Sequence, residues 1–600
     1  MRKLYLFTLS SILLSANTLP PKNPINTGYE TQREEKLLNK HLKSLKKATT
    51  TIDEIKISAP KPSLKDINLG PSFRLNGVSI KGNTTFEQKE IISFVKPYLG
   101  LQVYTKTLKD IAQKITQLYY SKGYVTSKCI LPQQKVKNGN VTFQIIEDKL
   151  GSITLSGENA HEYDTKLFSK YFHKLQGKII NAKELNTKLK LLQYLPISKI
   201  TPTLSHIRPG VSNLILKITE AKQQISLSLN NRGSEYSGIY RTTLTGNINN
   251  IVGISDSLFL SVTTSQTPQH YSALNASYRH PIGENGAKIS WGISNLNYQL
   301  NPDEMNSRAV FYDGESSQFN LAYDKPLFFF QKINIWLNLS FNYKSLSSRT
   351  LENKTGSILV HSLDKTSVIS IGTTINFLDS YKGINNFSFK VSQAIPNLFN
   401  SMTQEDIDRK TYRMEYDSST IQELKKQKVA ANAKKDDITE SILATLIKEE
   451  AFKNLAITAP QKYGKNLKAA FRKYYISASR QQYFPANFTG SLSFHGEYTS
   501  ARIPQAYEFS TGDYGYSASI NINNNFNSKY FNMGIGYGYT KVYEYDLELT
   551  LHSSGEVSKS PNISMNAYYN DFYLNLSYQL NLDKWDANEN NIKFNLGYSW

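Results

Sequence analysis

The chain ends in a strand whose two faces differ in polarity. Apolar side chains occupy every second position of this strand: Ile592, Phe594, Leu596, Tyr598 and Trp600. The segment from Phe572 to Leu582 repeats the pattern. Such alternation predicts a β-strand with one apolar face, and a terminal aromatic residue is typical of a strand that meets a membrane interface. No second layer is evident to cover the apolar face, so we expect lipid to cover it; the alternative is a large soluble β-sandwich.

Further alternating segments predict sixteen strands after residue 222. They lie near residues 223–232, 238–249, 256–265, 270–281, 287–299, 315–325, 332–345, 366–378, 384–395, 469–483, 489–500, 514–525, 530–541, 562–569, 571–582 and 592–600. An even count suits a closed antiparallel barrel with both chain ends on one side of the membrane. Closure also avoids a row of unpaired backbone groups in hydrocarbon. We therefore expect a membrane β-barrel of about 16 antiparallel strands over residues 223–600, with a polar, water-filled lumen.

The first 71 residues show two other patterns. Residues 1–18 combine Arg2 and Lys3 with a short apolar run, which is typical of a secretory signal peptide. Leucines at helical spacing in residues 29–48 predict an amphipathic helix, and a linker that contains several prolines follows up to residue 71.

Residues 72–222 alternate strands and helices in two units of similar size, 72–148 and 149–222. The first unit reads as strand 73–80, helices 85–96 and 108–122, and strands 127–131 and 140–147, with Gly123 ending the second helix. The second reads as strand 152–156, helices near 166–175 and 182–193, and strands 200–206 and 213–220. The sequence therefore predicts two small α/β domains in front of the barrel.

The strand pattern stops once inside the barrel region, over residues 396–468. Apolar residues there recur at helical spacing: Ile438, Ile442, Leu446 and Ile447. Strand parity, counted from the α/β domains, places this insert on the extracellular side. We predict a soluble helical cap; a disordered insert is the alternative.

Composition narrows the classes of function. Aromatic residues make up 12% of the chain and include 39 tyrosines, which suits aromatic girdles on a barrel. One cysteine, Cys129, excludes an internal disulfide and a thiolate metal cluster. The formal net charge of +21 would ordinarily suggest nucleic acid. In an exported chain we expect lipopolysaccharide or an acidic exported polypeptide instead, and no nucleic acid.

Motifs for catalysis are missing from the sequence. It contains no G-x-S-x-G, no H-E-x-x-H and no P-loop, and the nine histidines lack ligand spacing. Gly534, Gly536 and Gly538 resemble a nucleotide fingerprint, but they recur at period two and predict a smooth stripe on the lumen face. We expect no catalytic residue, no metal and no cofactor. An outer-membrane enzyme such as a phospholipase is the alternative, although it would not need two periplasmic domains.

Specific motifs lie in both α/β units. The first contains GNTTF, PYLG and ITQLYYSKGYVTSKCILPQQKVKNGNVTFQIIE, and the second contains Arg208, Pro209 and Gly210 in succession. The first unit resembles the polypeptide-transport-associated (POTRA) domain of two-partner secretion transporters, with matching residues at Tyr119, Gly123, Tyr124, Pro132, Gln134 and Gly139. The second unit is similar in its proline-glycine marker.

The barrel region carries the same resemblance. It contains the hairpin NNRGSEYSGIYRTTLTGNINNIVGISDSL, then SYRHPIG and GEYTS, with Glu497 where the family usually has glutamine. In all, residues 72–395 and 469–600 resemble the haemolysin and haemagglutinin secretion and activation proteins of the Omp85 superfamily. Family members have an arginine-glycine-aromatic motif in a long sixth loop, whose arginine meets an acidic residue of the barrel wall. Here the nearest residues are Asp513, Tyr514, Gly515 and Tyr516, without arginine, so the motif is either replaced or deleted.

The resemblance implies a function in two-partner (type V) secretion. The periplasmic domains would capture an unfolded partner protein, a large adhesin or haemolysin, and the barrel would pass it to the cell surface without ATP or metal. It also implies that the helix within residues 29–48 plugs the lumen, so deleting it should raise single-channel conductance. Further expected partners are outer-membrane lipid, lipopolysaccharide and the barrel assembly machinery. The alternatives are a barrel assembly insertase of the same superfamily and a passive porin or adhesin, which leaves residues 72–222 unexplained.

Two sets of residues are candidates for these roles. For capture we expect strand addition to a sheet edge of the first unit, near five residues: Tyr119, Tyr124, Val125, Lys128 and Gln134. We assign Lys128 and Gln134 to the strand that follows the long helix. The alternative for Tyr119 is packing in the core. For barrel assembly we expect the last strand to be recognised through Phe594, Tyr598 and Trp600, so loss of Trp600 should lower the yield of heat-modifiable barrel.

Overall fold

The computed structural model describes most of the chain from residue 71 onward. The described residues are 51–52, 71–192, 195, 197–220, 223–233, 237–300, 310–329, 333–352, 358–408, 426–427, 458–459, 467–504, 514–526, 528, 530–545, 551–552, 557–569, 571–579 and 591–599. The predicted signal peptide, the helix within residues 29–48 and nearly all of the linker lie outside them. Within the described part of the chain, no helix is long and apolar enough to cross a membrane.

The first α/β domain is a small sheet covered by one long helix. Its elements are β1 Ser72–Arg74, β2 Gly77–Lys81, α1 Gln88–Ile92, β3 Gln102–Tyr104, α2 Thr105–Ser121, β4 Lys128–Ile130 and β5 Asn140–Ile146. The main sheet has the order β2-β5-β4, and β1 pairs with β3. Apolar residues at helical spacing on α2, among them Ile111 and Ile115, pack on Val141, Phe143 and Ile145 of β5. This burial holds the helix on one face of the sheet.

The second domain repeats the plan. It consists of β6 Lys149–Ser156, α3 Thr165–Phe172, α4 Ala182–Leu192, β7 Ile197–Arg208 and β8 Val211–Glu220. The strand order is β7-β8-β6, and Phe168, Phe172 and Leu214 lie at the centre of the core. Thr51 and Ile52 add a short fourth strand, because they pair in parallel with Lys199 and Ile200 of β7. A segment that precedes the first domain in the chain is thus part of the second domain's sheet.

Sixteen strands form the barrel. They are β9 Gln224–Asn230, β10 Arg241–Asn249, β11 Ser257–Ser265, β12 Tyr271–Ile282, β13 Ala287–Leu300, β14 Val310–Phe329, β15 Ile333–Glu352, β16 Ile358–Leu378, β17 Ile384–Ala394, β18 Arg472–Tyr483, β19 Phe488–Thr499, β20 Tyr514–Asn524, β21 Phe531–Tyr545, β22 Val557–Tyr569, β23 Phe572–Gln579 and β24 Asn591–Ser599. Each strand pairs antiparallel with the next, and β24 pairs with β9 from Ser226–Ser599 to Asn230–Asn595. The expected closed barrel is confirmed.

The outer surface of the barrel is apolar. On β9, for example, Ile225, Leu227 and Leu229 point outward and stay exposed, whereas Ser226 and Ser228 point into the lumen. Apolar side chains left uncovered in this pattern suit contact with lipid. We call the barrel end that carries the α/β domains the proximal end, and the opposite end the distal end.

Three neighbouring strands are longer than a bilayer requires. β14, β15 and β16 contain 20, 20 and 21 residues, compared with the 9–11 that cross a membrane. The strands predicted from the sequence pattern are shorter than these on the distal side. Alternation between apolar and polar residues is lost there, because neither face of the strand contacts lipid. On β16 the distal residues extend beyond β17, and Thr458–Ala459 pairs there in parallel with His361–Ser362. This pairing covers an otherwise open strand edge.

The insert of residues 396–468 is described at its two ends. Residues 404–408 and 426–427 are helical, and residues 458–459 form the short strand on β16. Backbone hydrogen bonds attach the beginning of the insert to the distal rim, from Ile395 N to Ser367 O (2.8 Å) and from Met402 N to Lys365 O (2.9 Å). The predicted helical cap lies mostly outside the described residues.

The second domain is attached to the proximal turns of the barrel. Asp164 N donates to Gly253 O (2.8 Å), and Asn250 Nδ2 donates to Glu162 O (3.2 Å). Glu284, in the next turn, lies 2.5 Å from His173 Nδ1. These contacts fix the second domain under one side of the lumen.

Candidate functional site: domain edges, lumen and barrel seam

One edge of the first domain's sheet is closed by side chains. Cys129 N, on the outer side of β4, donates to Thr116 Oγ1 of α2 (2.9 Å). Further along, Thr142 N donates to Gln134 Oε1 and Gln134 Nε2 donates to Thr142 O, both at 2.8 Å. The Gln134 amide therefore takes the place of a strand residue beside β5. It lies beyond β4, which ends at Ile130, and this corrects its assignment to the strand.

Tyr119 lies in the core of the first domain, where the packing alternative places it. Its side chain is fully buried, and its hydroxyl lies 2.7 Å from Glu147 Oε1 and 2.9 Å from Asn83 Oδ1. Burial, and then the neighbouring Glu147 carboxylate, raise the pKa of Tyr119 far above its ordinary value. Its phenol is therefore a neutral donor that holds Glu147, and cargo cannot reach it while the core is closed.

Glu147 organises the turn that follows β2, and the sequence pattern did not single it out. Its carboxylate accepts hydrogen bonds from Thr84 N (2.9 Å), Thr85 N (3.0 Å) and the Tyr119 hydroxyl. Burial raises the pKa of Glu147, but the hydrogen bonds from Thr84 and Tyr119 outweigh it and lower that pKa below its ordinary value. The partners lie 28 to 63 positions away along the chain, so no local motif marks this residue.

The remaining capture candidates are accessible. Lys128 is exposed, and Tyr124 and Val125 are partly buried. The Tyr124 ring packs edge-on against Phe86, with centroids 6.0 Å apart. These three residues form a surface beside the closed edge of the sheet.

Gly123 ends α2, as the sequence predicts, and also joins the two domains. Its φ of +98° is in the left-handed region, and a Cβ at this position would lie 2.8 Å from Asn181 Oδ1. Its carbonyl oxygen accepts a hydrogen bond from Ala182 N at 2.8 Å. Only glycine fits both the conformation and the close approach.

The lumen wall has two different halves. Near the seam between β24 and β9 most inward side chains are small and uncharged, such as Ser226, Ser228, Thr243, Thr245, Ser261, Ser558, Ser560, Asn566 and Asn575. Arg241 and Lys593 are inward charged residues on this half. On the opposite half, more charged side chains point inward: Arg279, Lys288, Asp324, Lys344, Asp364, Lys390, Lys473, His495 and Glu497. There Glu497 lies 2.5 Å from Lys473 Nζ and 3.2 Å from His495 Nε2. Glu497 of β19 therefore pairs with Lys473 of the neighbouring strand β18 and with His495 of its own strand.

The glycine stripe of β21 is covered by asparagine side chains from β20. A Cβ added at Gly534 would lie 1.9 Å from Asn523 Oδ1, and one at Gly536 would lie 2.0 Å from Asn521 Oδ1. The glycines face the lumen, and they leave room for these two amides. A packing requirement between strands thus explains the pattern that resembles a nucleotide fingerprint.

The sixth distal loop begins inside the wall. It connects β19 to β20 over residues 500–513, and Ile503 is fully buried against Val368, Ala394 and Phe471. Arg502 is 8% exposed, and its carbonyl oxygen accepts a hydrogen bond from Lys468 N (3.1 Å). Arg502 is the arginine in the sequence of this loop, but Ile503 and Pro504 follow it, so it is not part of an arginine-glycine-aromatic motif.

Tyr514, Gly515 and Tyr516 are strand residues. They belong to β20 and pair with Tyr543, Val542 and Lys541 of β21. This corrects their assignment to the sixth loop, because residues held in a barrel ladder cannot form a loop tip. Asp513 lies outside the described residues.

The seam is held by the last strand and one asparagine. Asn231, just after β9, donates through Nδ2 to Ile592 O (2.8 Å) and accepts from Phe594 N through Oδ1 (2.8 Å). The Phe594 ring lies 6.2 Å from Tyr240, and the Tyr598 ring lies 4.7 Å from Phe572. Trp600 lies outside the described residues.

Metal binding finds no support in the described part of the chain, where no group of His, Cys, Asp and Glu side chains is arranged to hold an ion. Burial raises the pKa of the Cys129 thiol to about 12. The thiol is therefore protonated at neutral pH and is a poor nucleophile.

Known proteins resemble this chain in sequence. The HuxB heme/hemopexin transporter protein of Haemophilus influenzae is 24% identical over 302 residues, 49% of this chain and 52% of that protein. The outer membrane transporter CdiB of Dickeya dadantii is 21% identical over 318 residues, 51% of this chain and 54% of that protein. The chain thus spans about half the length of the curated relatives it matches.

Solved structures show the same fold. CdiB from Escherichia coli has a TM-score of 0.61 at 14% identity and covers 98% of this chain and 100% of its own. CdiB from Acinetobacter baumannii has a TM-score of 0.58 at 14% identity, with coverage of 96% and 98%. Both likenesses support the arrangement of small α/β domains in front of a barrel.

Two family models match the sequence. Residues 73–148 match the POTRA domain of the ShlB type, a domain that is periplasmic in this family. Residues 210–517, just over half of the chain, match the haemolysin secretion/activation protein model ShlB/FhaC/HecB, whose members are outer-membrane transporters. The chain therefore belongs to the ShlB/FhaC/HecB family of haemolysin secretion/activation proteins.

Proposed function

We propose that this protein captures an unfolded partner protein in the periplasm and secretes it through its barrel in two-partner secretion. The observation that carries the proposal is the combination of an ShlB-type POTRA domain with a closed barrel whose lumen is polar. Barrel assembly insertases of the same superfamily usually carry more periplasmic domains than the two present here, and a passive porin needs none. The partner would be a large adhesin or haemolysin that is exported in extended form.

Capture would use two neighbouring surfaces. Tyr124, Val125 and Lys128 offer side-chain contacts on the first domain, next to Gly123, which touches the second domain. We place strand addition on β7 of the second domain, because Thr116 and Gln134 close the β4 edge of the first domain, which is the edge beside Tyr124 and Lys128. Only Lys199 and Ile200 of β7 are paired with Thr51 and Ile52 among the described residues. Beyond Thr201 the outer edge of β7 continues to Arg208, and among the described residues no strand pairs with it there, so an extended chain could add to this part of the edge.

Passage through the barrel would need neither catalysis nor a cofactor. Family members are transporters, and small uncharged side chains on the seam half of the lumen offer hydrogen bonds without strong attachment. Before transport, the helix within residues 29–48 would plug the lumen. Outer-membrane lipid and lipopolysaccharide would surround the barrel, and the barrel assembly machinery would recognise β24 with Phe594, Tyr598 and Trp600.

Site-specific photo-cross-linking tests the proposal. A photoreactive amino acid would replace Lys128, Ile207 or Lys109 in the full-length transporter, and the probe would be the N-terminal segment of the partner protein. Lys128 lies beside the closed edge, and Ile207 is 61% exposed on β7. Lys109 is an exposed control on α2. We expect cross-links from Lys128 and Ile207 and none from Lys109. Absence of cross-links at both test positions in folded protein would contradict capture at these surfaces.

A further inference from the structure

Three basic residues on one side of the barrel point outward at the distal rim. Arg472 of β18, Lys541 of β21 and Lys559 of β22 point outward. Arg472 is the first residue of its strand, and its Nε donates to Gln393 Oε1 (3.1 Å). No Asp or Glu occupies an outward position of β18 to β22 among the described residues. This part of the outer face is therefore net positive.

Tyrosines surround these cations. Outward tyrosines on the same strands include six toward the distal end: Tyr474, Tyr498, Tyr514, Tyr516, Tyr539 and Tyr543. Tyr514 and Tyr543 stack at 5.1 Å, and Tyr498 meets Tyr514 at 5.7 Å. The Lys541 ammonium lies 4.8 Å from the centre of the Tyr543 ring. A groove of about 580 Å³ is lined by five of these tyrosines: Tyr474, Tyr498, Tyr514, Tyr516 and Tyr543.

The position of the patch along the barrel axis indicates which part of a lipid molecule would contact it. Toward the proximal end the same strands present exposed apolar side chains, including Ile476, Ile520 and Ile535. The cations therefore stand at the distal boundary of the apolar band, where lipid headgroups lie. Elsewhere on the rim, outward Arg349 is paired with Asp313 at 2.8 Å. Unlike that pair, the basic residues of β18 to β22 have no outward carboxylate on their own strands, as far as the structure describes these strands.

We propose that Arg472, Lys541 and Lys559, with the tyrosine-lined groove, bind the phosphorylated glycolipid headgroup of lipopolysaccharide in the outer leaflet. The three cations would face the lipid phosphates, and the tyrosine rings would pack against the sugar and the first carbons of the acyl chains. This inference rests on the proposed function for the orientation of the barrel in the outer membrane. It assigns a specific lipid site to a wall that would otherwise only contact bulk lipid.

The test compares lipid binding in three purified full-length proteins: the wild type, the triple variant R472Q/K541Q/K559Q and the control K325Q. Lys325 also points outward, but it lies near the proximal end of β14. Native mass spectrometry in mild detergent would count bound lipid A, with dephosphorylated lipid A and inorganic phosphate as separate probes. We expect the wild type and K325Q to bind lipid A, and the triple variant to lose at least about tenfold in affinity.

Three results would overturn the assignment: equal binding of lipid A by the triple variant, equal binding of the dephosphorylated lipid by the wild type, or binding of inorganic phosphate alone. Heat-modifiable migration would establish that the triple variant is a folded barrel. Secretion of the partner protein, measured separately, reports on the proposed function. A folded wild type that secretes but does not bind lipid A would refute the lipid site and leave the transport proposal standing.

Discussion

Glu147 shows how one carboxylate can hold a small domain together. It joins the turn after β2 to α2 through Thr84, Thr85 and Tyr119. The sequence could predict that Tyr119 faces a core, because it continues the apolar face of α2. It could not predict that the side chains of Glu147, Thr116 and Gln134 hydrogen-bond to backbone N–H groups. Each of these N–H groups is distant along the chain and comes close only in the folded domain. The sequence does predict Tyr124 and Lys128 as candidates, because they lie at the end of α2 and on the strand that follows it.

The pH dependence of the first domain should follow from these two residues. The folded pKa of Glu147 lies below its ordinary value of 4.5, so its contribution to stability is present above pH 4.5 and is lost as pH falls through the lowered pKa. The folded pKa of Tyr119 lies above its ordinary value of 10.0, so its contribution is present below pH 10 and is lost as pH rises further. In Y119F we expect a loss of about 1–2 kcal/mol at pH 7 and less alkaline loss than in the wild type.

Hydrogen exchange of β5 in the full-length protein would measure this effect at pH 3, 7 and 11. Y120F is a matched control, because Tyr120 neighbours Tyr119 on α2 but is only partly buried. Equal loss of protection in both variants at pH 7 would rule out a special role for the Tyr119 hydroxyl.

At the scale of elements, alternation predicted the positions of all sixteen barrel strands. It worked because one face of each strand meets lipid and the other meets the lumen. It failed at the distal ends of β14, β15 and β16, and again at β22, which begins at Val557 rather than near residue 562. Beyond the apolar band both faces are polar, and strand ends are then set by pairing with neighbours. The pairing of Thr458–Ala459 with β16 had no sequence signal for the same reason.

The seam should be the most sensitive element, because β9 has only seven residues and meets β24 over five pairs. Beyond these pairs, at the distal end, the Asn231 side-chain amide takes the place of strand-to-strand hydrogen bonds by binding Ile592 O and Phe594 N. N231A should lower the temperature at which the barrel loses its heat-modifiable form, since two hydrogen bonds at about 1 kcal/mol each are removed. The control is N297A, whose Nδ2 bonds to Asn295 on the same strand. A transition temperature equal in N231A and N297A would contradict this role.

At the scale of the whole molecule, the sequence predicted two domains and a barrel but not how they are joined. The joints depend on single backbone groups, such as Gly123 O to Ala182 N and Gly253 O to Asp164 N. Such contacts carry no side-chain signature. The short strand of Thr51 and Ile52 on β7 was hidden for a second reason, because two residues are too few to show a period.

The short strand of Thr51 and Ile52 means that the first domain is inserted between two strands of the second domain's sheet. The chain leaves the second domain's sheet at Ile52, forms the first domain, and returns to the same sheet at Lys149. Thr51 and Ile52 therefore connect the N-terminal segment to β7, the strand whose outer edge we propose for capture. A chain that extends along this edge would compete with Thr51 and Ile52, and by reciprocity each would weaken the binding of the other. Arrival of cargo and release of the N-terminal segment would then be one event.

A disulfide between T51C and K199C tests this coupling, because these residues are paired neighbours. We expect the oxidised double variant to assemble normally but to secrete little partner protein, and a reductant to restore secretion. The single variants T51C and K199C should secrete at the wild-type level, since the native Cys129 is buried. Full secretion by completely cross-linked protein would show that the strand is a static tether. If secretion is blocked, pairing of Thr51 and Ile52 with β7 controls transport. Cargo would then release the N-terminal segment by displacing this pair, and a transporter without cargo would remain closed.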